Sequence, residues 1–250
     1  MVKGLDTFWK YFADYEEQYV LIGGAACDIL FESNEVNFRA TRDLDMVLIV
    51  EALTPEFGEK FWKFIVDGKY RNKATNGSNP QFYRFDKPEE DKFPKMIELF
   101  CRSDFELKSA EGITPIHIDD EVSSLSAILL NDDYYKALLN GKVIRNGLSV
   151  LRPEYIILFK AKAYLDLKNQ KDLGEKVDSS DIKKHKKDIL RIASELMLEK
   201  VEGLPIAVGN DIHSFIDLLE QEPFDQNSLK RYGLKNEDIM ELLKKVFVLK

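Results

Sequence analysis

The chain has few of the residues that mark disulfide-bonded or zinc-binding proteins. Its two cysteines, Cys27 and Cys101, are too few for a disulfide framework or a four-cysteine zinc site. No apolar run approaches the roughly 18 residues that a membrane helix requires, since Asp28 interrupts the best candidate at residues 19–31. The N-terminal segment also lacks the apolar stretch of a signal peptide. These absences favour a cytoplasmic protein in a reducing compartment, with no membrane partner.

Positive charge is also in short supply. The 250 residues carry 36 Lys and Arg against 44 Asp and Glu, a net charge of −8, which argues against a protein that coats nucleic acid by bulk charge. The net charge does not exclude a local basic patch. Hydrophobic residues make up 44% of the chain and aromatic residues 11%, enough for a substantial core, so global disorder is excluded.

Hydrophobic periodicity divides the chain into a mixed first part and a helical second part. The first part is predicted to contain helices at 5–18, 25–32, 55–66 and 132–139, and strands at 19–22, 44–50, 81–85, 95–101, 115–118, 125–130 and 142–151. The second part is predicted to contain helices at 153–169, 181–199, 211–221 and 236–247. The expected fold class is therefore α+β, with a small mixed-sheet domain at 1–152 and an all-helical domain at 153–250.

Gly23 and Gly24 lie between a predicted strand and a predicted helix. Glycines at this place let the backbone approach an anion closely, and the helix N-terminus presents free N–H groups to a phosphate. A tight turn between strand and helix explains the same pair without any ligand, so both interpretations stay open.

Asp43 and Asp45 begin the predicted strand at 44–50. Residues i and i+2 of a strand point to the same face, so the two carboxylates lie side by side. Like charges so close repel each other, and a divalent cation between them removes the repulsion. The alternative is a solvated start of the strand.

Glu98 interrupts the otherwise apolar strand Met96–Phe100. An ionised carboxylate is costly to bury without a partner, and a metal ion shared with Asp43 and Asp45 would remove that cost. The alternative is an alternating strand in which Glu98 faces water.

These passages together resemble the nucleotidyltransferase superfamily. The segment YVLIGGAACDILF, followed by RATRDLDMVLIV and a later strand carboxylate, is similar to its order of strand, glycine pair, helix and Asp-x-Asp strand. The segment LRPEYIILFKAKAYLDL, with SSDIKKHKKDILRI after it, resembles the helical half of the AbiEii-type toxins of type IV toxin–antitoxin systems. Many superfamily members carry Ser or Thr after the glycines, where this chain has Ala25 and Ala26.

The resemblance implies a nucleotidyltransferase-like fold and a two-metal mechanism. Asp43, Asp45 and Glu98 would hold two Mg²⁺ ions, and Glu98 would also take the proton of the attacking hydroxyl. The amides of Gly23 and Gly24 would bind the phosphates of a nucleoside triphosphate, and Arg42 would assist them.

Two residues of the helical part match the toxin branch. The resemblance implies that Lys160, which begins a Lys-x-x-Ala segment, binds phosphate and that Asp188 completes the site. A solvated Lys160 and an ion pair between Asp188 and Lys184 are the alternatives. Residues 183–187 (KKHKK) form a strongly basic run, either a solvated helix face or a surface for RNA or nucleotide phosphates.

Three functions remain open at this level. The resemblance favours a Mg²⁺-dependent nucleotidyltransferase that moves a nucleoside monophosphate from NTP to a hydroxyl or phosphate acceptor. In the toxin branch the acceptor would be tRNA or protein, and a cognate antitoxin would be a partner. The alternatives are a small-molecule nucleotidyltransferase of the aminoglycoside type and a non-catalytic protein of the same fold that binds nucleotide or a partner.

Overall fold

A computed structural model describes residues 3–32, 43–72, 82–100 and 131–248. The chain forms two compact units, one comprising residues 1–119 with 142–152, and the other comprising 120–141 with 153–250. The helix at 132–141 therefore belongs to the helical unit, whereas the sequence placed it in the first domain, 1–152. Tyr134 shows the reason, because its buried ring packs against Phe159 and its hydroxyl donates to Oδ2 of Asp211 at 2.9 Å.

The first unit is built on a mixed β-sheet with helices around it, as the sequence predicted. Its helices and strands, in chain order, are α1 (Leu5–Phe12), β1 (Tyr19–Leu21), α2 (Gly23–Glu32), β2 (Asp43–Leu48), α3 (Pro55–Asp67), β3 (Arg71–Asn72), β4 (Phe82–Asp86), β5 (Met96–Phe100), β6 (Lys142–Arg145) and β7 (Leu148–Leu151). The described strands lie in the order β3-β4-β5-β2-β1-β7-β6.

The sheet combines both strand directions. β2 runs antiparallel to β1 and parallel to β5, while β4 and β5 form the predicted antiparallel hairpin. β1 pairs in parallel with β7. Both faces of β2 are covered, because Leu44 and Val47 point to opposite faces and are both fully buried. Ile97 and Leu99 of β5 are also fully buried.

Two local predictions for this unit were wrong in their bounds. The helix predicted at 5–18 ends at Phe12, and Ala13 is its C-cap. The strand predicted at 142–151 is a hairpin, because Asn146 and Gly147 both adopt positive φ angles, 54° and 71°, which a two-residue turn between twisted strands requires. The Asn-Gly pair in the sequence was the signal for this turn. The short strands predicted at 115–118 and 125–130 lie outside the described residues.

Aromatic rings make up much of the core beneath the sheet. The ring centroid of Phe64 in α3 lies 5.9 Å from that of Phe8, 5.4 Å from that of Phe12 and 4.9 Å from that of Phe93. Such tilted and edge-on ring pairs bury large apolar areas in defined geometries. They fix α1 and α3 against each other and so support the sheet that carries the candidate site.

The second unit is helical, which confirms the predicted change of character along the chain. It contains α4 (Asp132–Gly141), α5 (Pro153–Asp172), α6 (Ser179–Glu195), α7 (Ile206–Gln221), α8 (Gln226–Tyr232) and α9 (Asn236–Val246). Pro153 starts α5, where the missing N–H costs no helical hydrogen bond. The Asp178 side chain caps α6 by accepting from the Ser180 amide at 2.8 Å. Within the described residues, the helices are all too short or too polar to cross a bilayer.

Candidate active site

The candidate site lies on one face of β2 and its neighbour β5. These strands run parallel, with Asp45 paired to Glu98 and Asp43 paired to Met96. Directly paired residues point to the same face, and neighbouring strands lie about 4.8 Å apart. All three carboxylates predicted from the sequence therefore share one face, and Asp45 and Glu98 are direct neighbours.

Glu98 is buried, with 7% of its surface exposed, so the alternative in which it faces water is wrong. Its Oε1 accepts hydrogen bonds from Arg84 of β4, at 2.8 Å from Nε and 2.5 Å from the terminal nitrogen. Asp45 is its direct neighbour on β2 and acts to lower its pKa. The ion pair with Arg84 thus lowers the cost of burying this carboxylate, the role that the sequence assigned to a metal ion.

The charges around Glu98 act in opposite directions. Burial raises the pKa of Glu98, and the guanidinium of Arg84 and the hydrogen bond with Asp45 offset part of that rise, while the negative charge of Asp43 adds to it. Asp45 and Glu98 are therefore close enough for the ionisation of one carboxyl group to affect that of the other.

Gly23 brings the start of α2 against this carboxylate pair. Its φ angle is +58°, and a Cβ atom placed there would lie 2.2 Å from Oδ2 of Asp45. The backbone is held close as well, because the Ile22 amide donates to the Asp45 carbonyl at 3.0 Å. Gly23 thus meets two requirements that only glycine satisfies, a left-handed conformation and a close approach. Gly24 is the next helical residue and is buried.

Two further residues on this face were missed by sequence reasoning. The antiparallel register of β4 and β5 places Arg84 opposite Glu98 and Asp86 opposite Met96. Oδ1 of Asp86 is buried and has no hydrogen-bond partner among the described residues. The signal was the alternation of polar and apolar residues in Arg84-Phe85-Asp86, which becomes informative only once the hairpin register is known.

The three carboxylates are of the chemical type that binds a divalent cation. Carboxylate oxygens are the ligands that Mg²⁺ prefers, and Asp43, Asp45 and Glu98 supply them from one face. In the described ranges, no three His, Cys, Asp or Glu side chains already stand as a metal-binding group. One oxygen of Glu98 is bonded to Arg84. Asp43, Asp45 and Glu98 thus match the ligands of Mg²⁺ in chemical type, and their joint binding of a metal ion stays a prediction.

Lys160 and Asp188 meet each other inside the helical unit. The Lys160 ammonium donates to Oδ2 of Asp188 at 2.7 Å, and the two residues are 8% and 5% exposed. The alternative of a solvated Lys160 is therefore wrong. The contact with nucleotide phosphate that the resemblance implies for Lys160 stays a prediction, as does the role of Asp188. Arg42, the predicted assistant of the glycine pair, lies outside the described residues.

The Gly23 contact predicts a non-additive pair of substitutions. Gly23→Ala should lower the free energy of unfolding by about 1–3 kcal/mol, because the new methyl group meets Asp45 and φ is positive. The loss should be smaller in an Asp45→Ala background, where Oδ2 is gone. Denaturant unfolding of the single and double variants measures both effects. Gly58→Ala is the matched control, since nothing lies within 4 Å of its added methyl group, and it should be neutral or stabilising. Additive losses would contradict the contact.

The buried pair in the helical unit makes a second prediction. Asp188→Asn removes the negative charge 2.7 Å from the buried Lys160 ammonium and should lower the free energy of unfolding by about 3–5 kcal/mol. Replacing both partners by apolar residues, Lys160→Met with Asp188→Leu, should cost less. Glu241→Gln, which removes an exposed pair with Lys245, is the control and should change stability by less than about 1 kcal/mol. Equal losses for Asp188→Asn and Glu241→Gln would contradict this account of the pair.

Comparisons with known proteins give limited matches. No family model matches this chain, and no curated protein does. Among solved structures, the chain is similar to the crystal structure of an antigenic nucleotidyltransferase-like protein from Paracoccidioides brasiliensis. The identity is 17%, the TM-score is 0.44, and the alignment covers 98% of this chain and 94% of that chain. The functional assignment is therefore argued from the residues on the sheet face.

Proposed function

We propose that this protein is a Mg²⁺-dependent nucleotidyltransferase. In the reaction, an acceptor oxygen forms a bond to the α-phosphorus of a nucleoside triphosphate, the bond from that phosphorus to the bridging oxygen breaks, and pyrophosphate leaves. The observation that carries the proposal is the meeting of Asp45, Glu98 and Gly23. Two paired carboxylates lie directly against the N-terminus of a helix, where cation ligands and phosphate-binding amides are needed together.

Asp43 and Asp45 would hold the metal, with Glu98 beside them. When bound, Mg²⁺ supplies a lower pKa for the attacking hydroxyl and positive charge for the leaving pyrophosphate. The carboxylates themselves would hold the cation in a fixed position, because β2 and β5 lie in the middle of a sheet. Rigid strands hold such groups more accurately than loops do.

The protein's own groups would act on the proton and on the phosphates. Glu98 would accept the proton of the acceptor hydroxyl, since burial raises its pKa and makes the carboxylate a stronger base. The amides at Gly23 and Gly24 would donate to phosphate oxygens, helped by the positive end of α2. Ala25 and Ala26 add no hydroxyl group, so backbone amides carry this contact.

The proposal also includes the class of acceptor that receives the nucleoside monophosphate. The resemblance to AbiEii-type toxins favours tRNA or a protein as acceptor and a cognate antitoxin as partner. An aminoglycoside-type small acceptor is the alternative, and the net charge of −8 suits a cationic substrate. Both acceptor classes use the same carboxylates, so one assay covers them.

A non-catalytic function is the second candidate, and Arg84 favours it. An arginine that already neutralises Glu98 takes the place of a cation at that carboxylate. In such a protein the glycine pair would still bind nucleotide, and no transfer would follow.

The decisive assay incubates the purified chain with Mg²⁺, each α-³²P-labelled NTP and total tRNA, cell extract or a panel of hydroxylated small molecules. Wild-type protein should label an acceptor, and the Asp43→Ala/Asp45→Ala variant should not, because it lacks the metal-binding carboxylates. Asp45→Ala alone should abolish turnover and leave the thermal midpoint unchanged or higher, since it relieves like-charge repulsion.

The matched control is Asp14→Ala/Asp91→Ala, which removes two exposed carboxylates of the same unit and should keep full activity. The labelled band identifies the acceptor class. Normal turnover by a destabilised Asp45→Ala variant would contradict the metal role. Nucleotide binding without transfer to any acceptor would favour the non-catalytic function.

A further inference from the structure

The helical unit contains a basic cavity that the proposed function does not use. Its volume is about 630 Å³, and it lies between α5, α6 and the segment that joins α7 to α8. Cavities of this size commonly hold small molecules. The basic residues that line it are Lys168, Lys171, Lys183, Lys186 and Lys187. Three carboxylates line it too, so it has two excess positive charges in a chain with a net charge of −8.

The carboxylates of the cavity are already bonded to neighbours. Glu222 accepts from the Lys168 ammonium and from the Tyr164 hydroxyl, each at 2.8 Å. Asp225 caps α8 and accepts from the amide and hydroxyl of Ser228, each at 2.8 Å. The third, Asp172, lies 3.7 Å from the Lys168 ammonium. The close contacts of these carboxylates are therefore with Lys168, with Tyr164 and with the N-terminus of α8.

Three of the lysines face no carboxylate at ion-pair distance in the part of the chain that the structure describes. Lys171 donates to the hydroxyl group of Ser179, a neutral partner. Lys183 and Lys187 are exposed and lie one turn apart on the same face of α6. These lysines line the cavity with no ion-pair contact among the described residues, and only longer-range attraction links Lys187 to Asp225 and Lys171 to Asp178. Positive charge that lines a cleft in this way concentrates anions there.

Lys186 forms the polar part of the cavity floor. Its ammonium lies 5.6 Å from the ring centroids of both Tyr164 and Phe224, and it donates to the Glu222 carbonyl. Burial lowers the pKa of Lys186, and the Glu222 carboxylate offsets only part of that change. An anion in the cavity would favour the charged form of this lysine, as a nearby opposite charge does.

We propose that this cavity binds a compact phosphate chain, either free inorganic triphosphate or the triphosphate of a nucleotide, through Lys171, Lys183 and Lys187. Lysine ammonium groups are effective point-charge ligands for phosphate. A concave basin with lysines from two helices suits a short, multiply charged anion. A long nucleic-acid strand fits less well, because Asp172 and Asp225 at the cavity would repel a continuing polyanion.

The test measures binding of sodium tripolyphosphate to the full chain by calorimetry at low ionic strength, with EDTA present to remove Mg²⁺. Lys183→Gln/Lys187→Gln should weaken the affinity by about tenfold or more, because two positive charges that line the cavity are lost. Lys200→Gln/Lys230→Gln removes two exposed charges of the same unit that do not line the cavity, and its affinity should stay within about twofold of wild type.

The same binding measurements are made with ATP and with an RNA oligonucleotide. ATP that binds more tightly than tripolyphosphate and loses affinity in the Lys183/Lys187 variant would identify the nucleotide as the source of the phosphate chain. No binding by wild type, or equal binding by both variants, would overturn the proposal. RNA that binds more tightly than either phosphate compound, and is released by the same variant, would replace it with an RNA surface. Because Mg²⁺ is absent, failure here leaves the nucleotidyltransferase proposal unaffected.

Discussion

The parallel pairing of β2 with β5 is the constraint on which the candidate site depends. It places Asp45 directly beside Glu98 at the spacing of neighbouring strands. Two carboxylates at that distance cannot both stay charged without a compensating positive group. Two neighbouring groups bring positive charge towards these carboxylates. Arg84 supplies a guanidinium, and Gly23 allows the N-terminus of α2 to approach.

In the proposed enzyme, a divalent cation would compete with Arg84 for the carboxylate of Glu98. A buried pair of this kind is stable while both partners remain, and a cation of higher charge would have to replace the guanidinium. Arg84 is therefore the residue that separates the two functional candidates. If it releases Glu98 on nucleotide binding, three carboxylates can act together. If Arg84 stays bonded to Glu98, this face can bind nucleotide but does not catalyse nucleotidyl transfer.

Periodicity in the sequence was sufficient for part of this site. The alternation of a strand put Asp43 and Asp45 on one face. The apolar surroundings of Glu98 left a buried and a water-facing side chain as alternatives, and the structure has the buried one. The strand pairing that makes Asp45 and Glu98 neighbours is a long-range contact, so no local pattern encodes it. Arg84 was missed for the same reason. The helix at 132–141 was found, but its packing partner Phe159 decided which unit it joined.

The most direct test of the central claim is a crystal structure of the full chain with Mn²⁺ and a non-hydrolysable nucleoside triphosphate. Anomalous scattering locates the metal independently of the protein coordinates. The account predicts a peak between Asp43 and Asp45, close to Glu98, with phosphate oxygens at the amides of Gly23 and Gly24. A nucleotide bound elsewhere, or an intact Arg84–Glu98 pair with no metal at the aspartates, would contradict it.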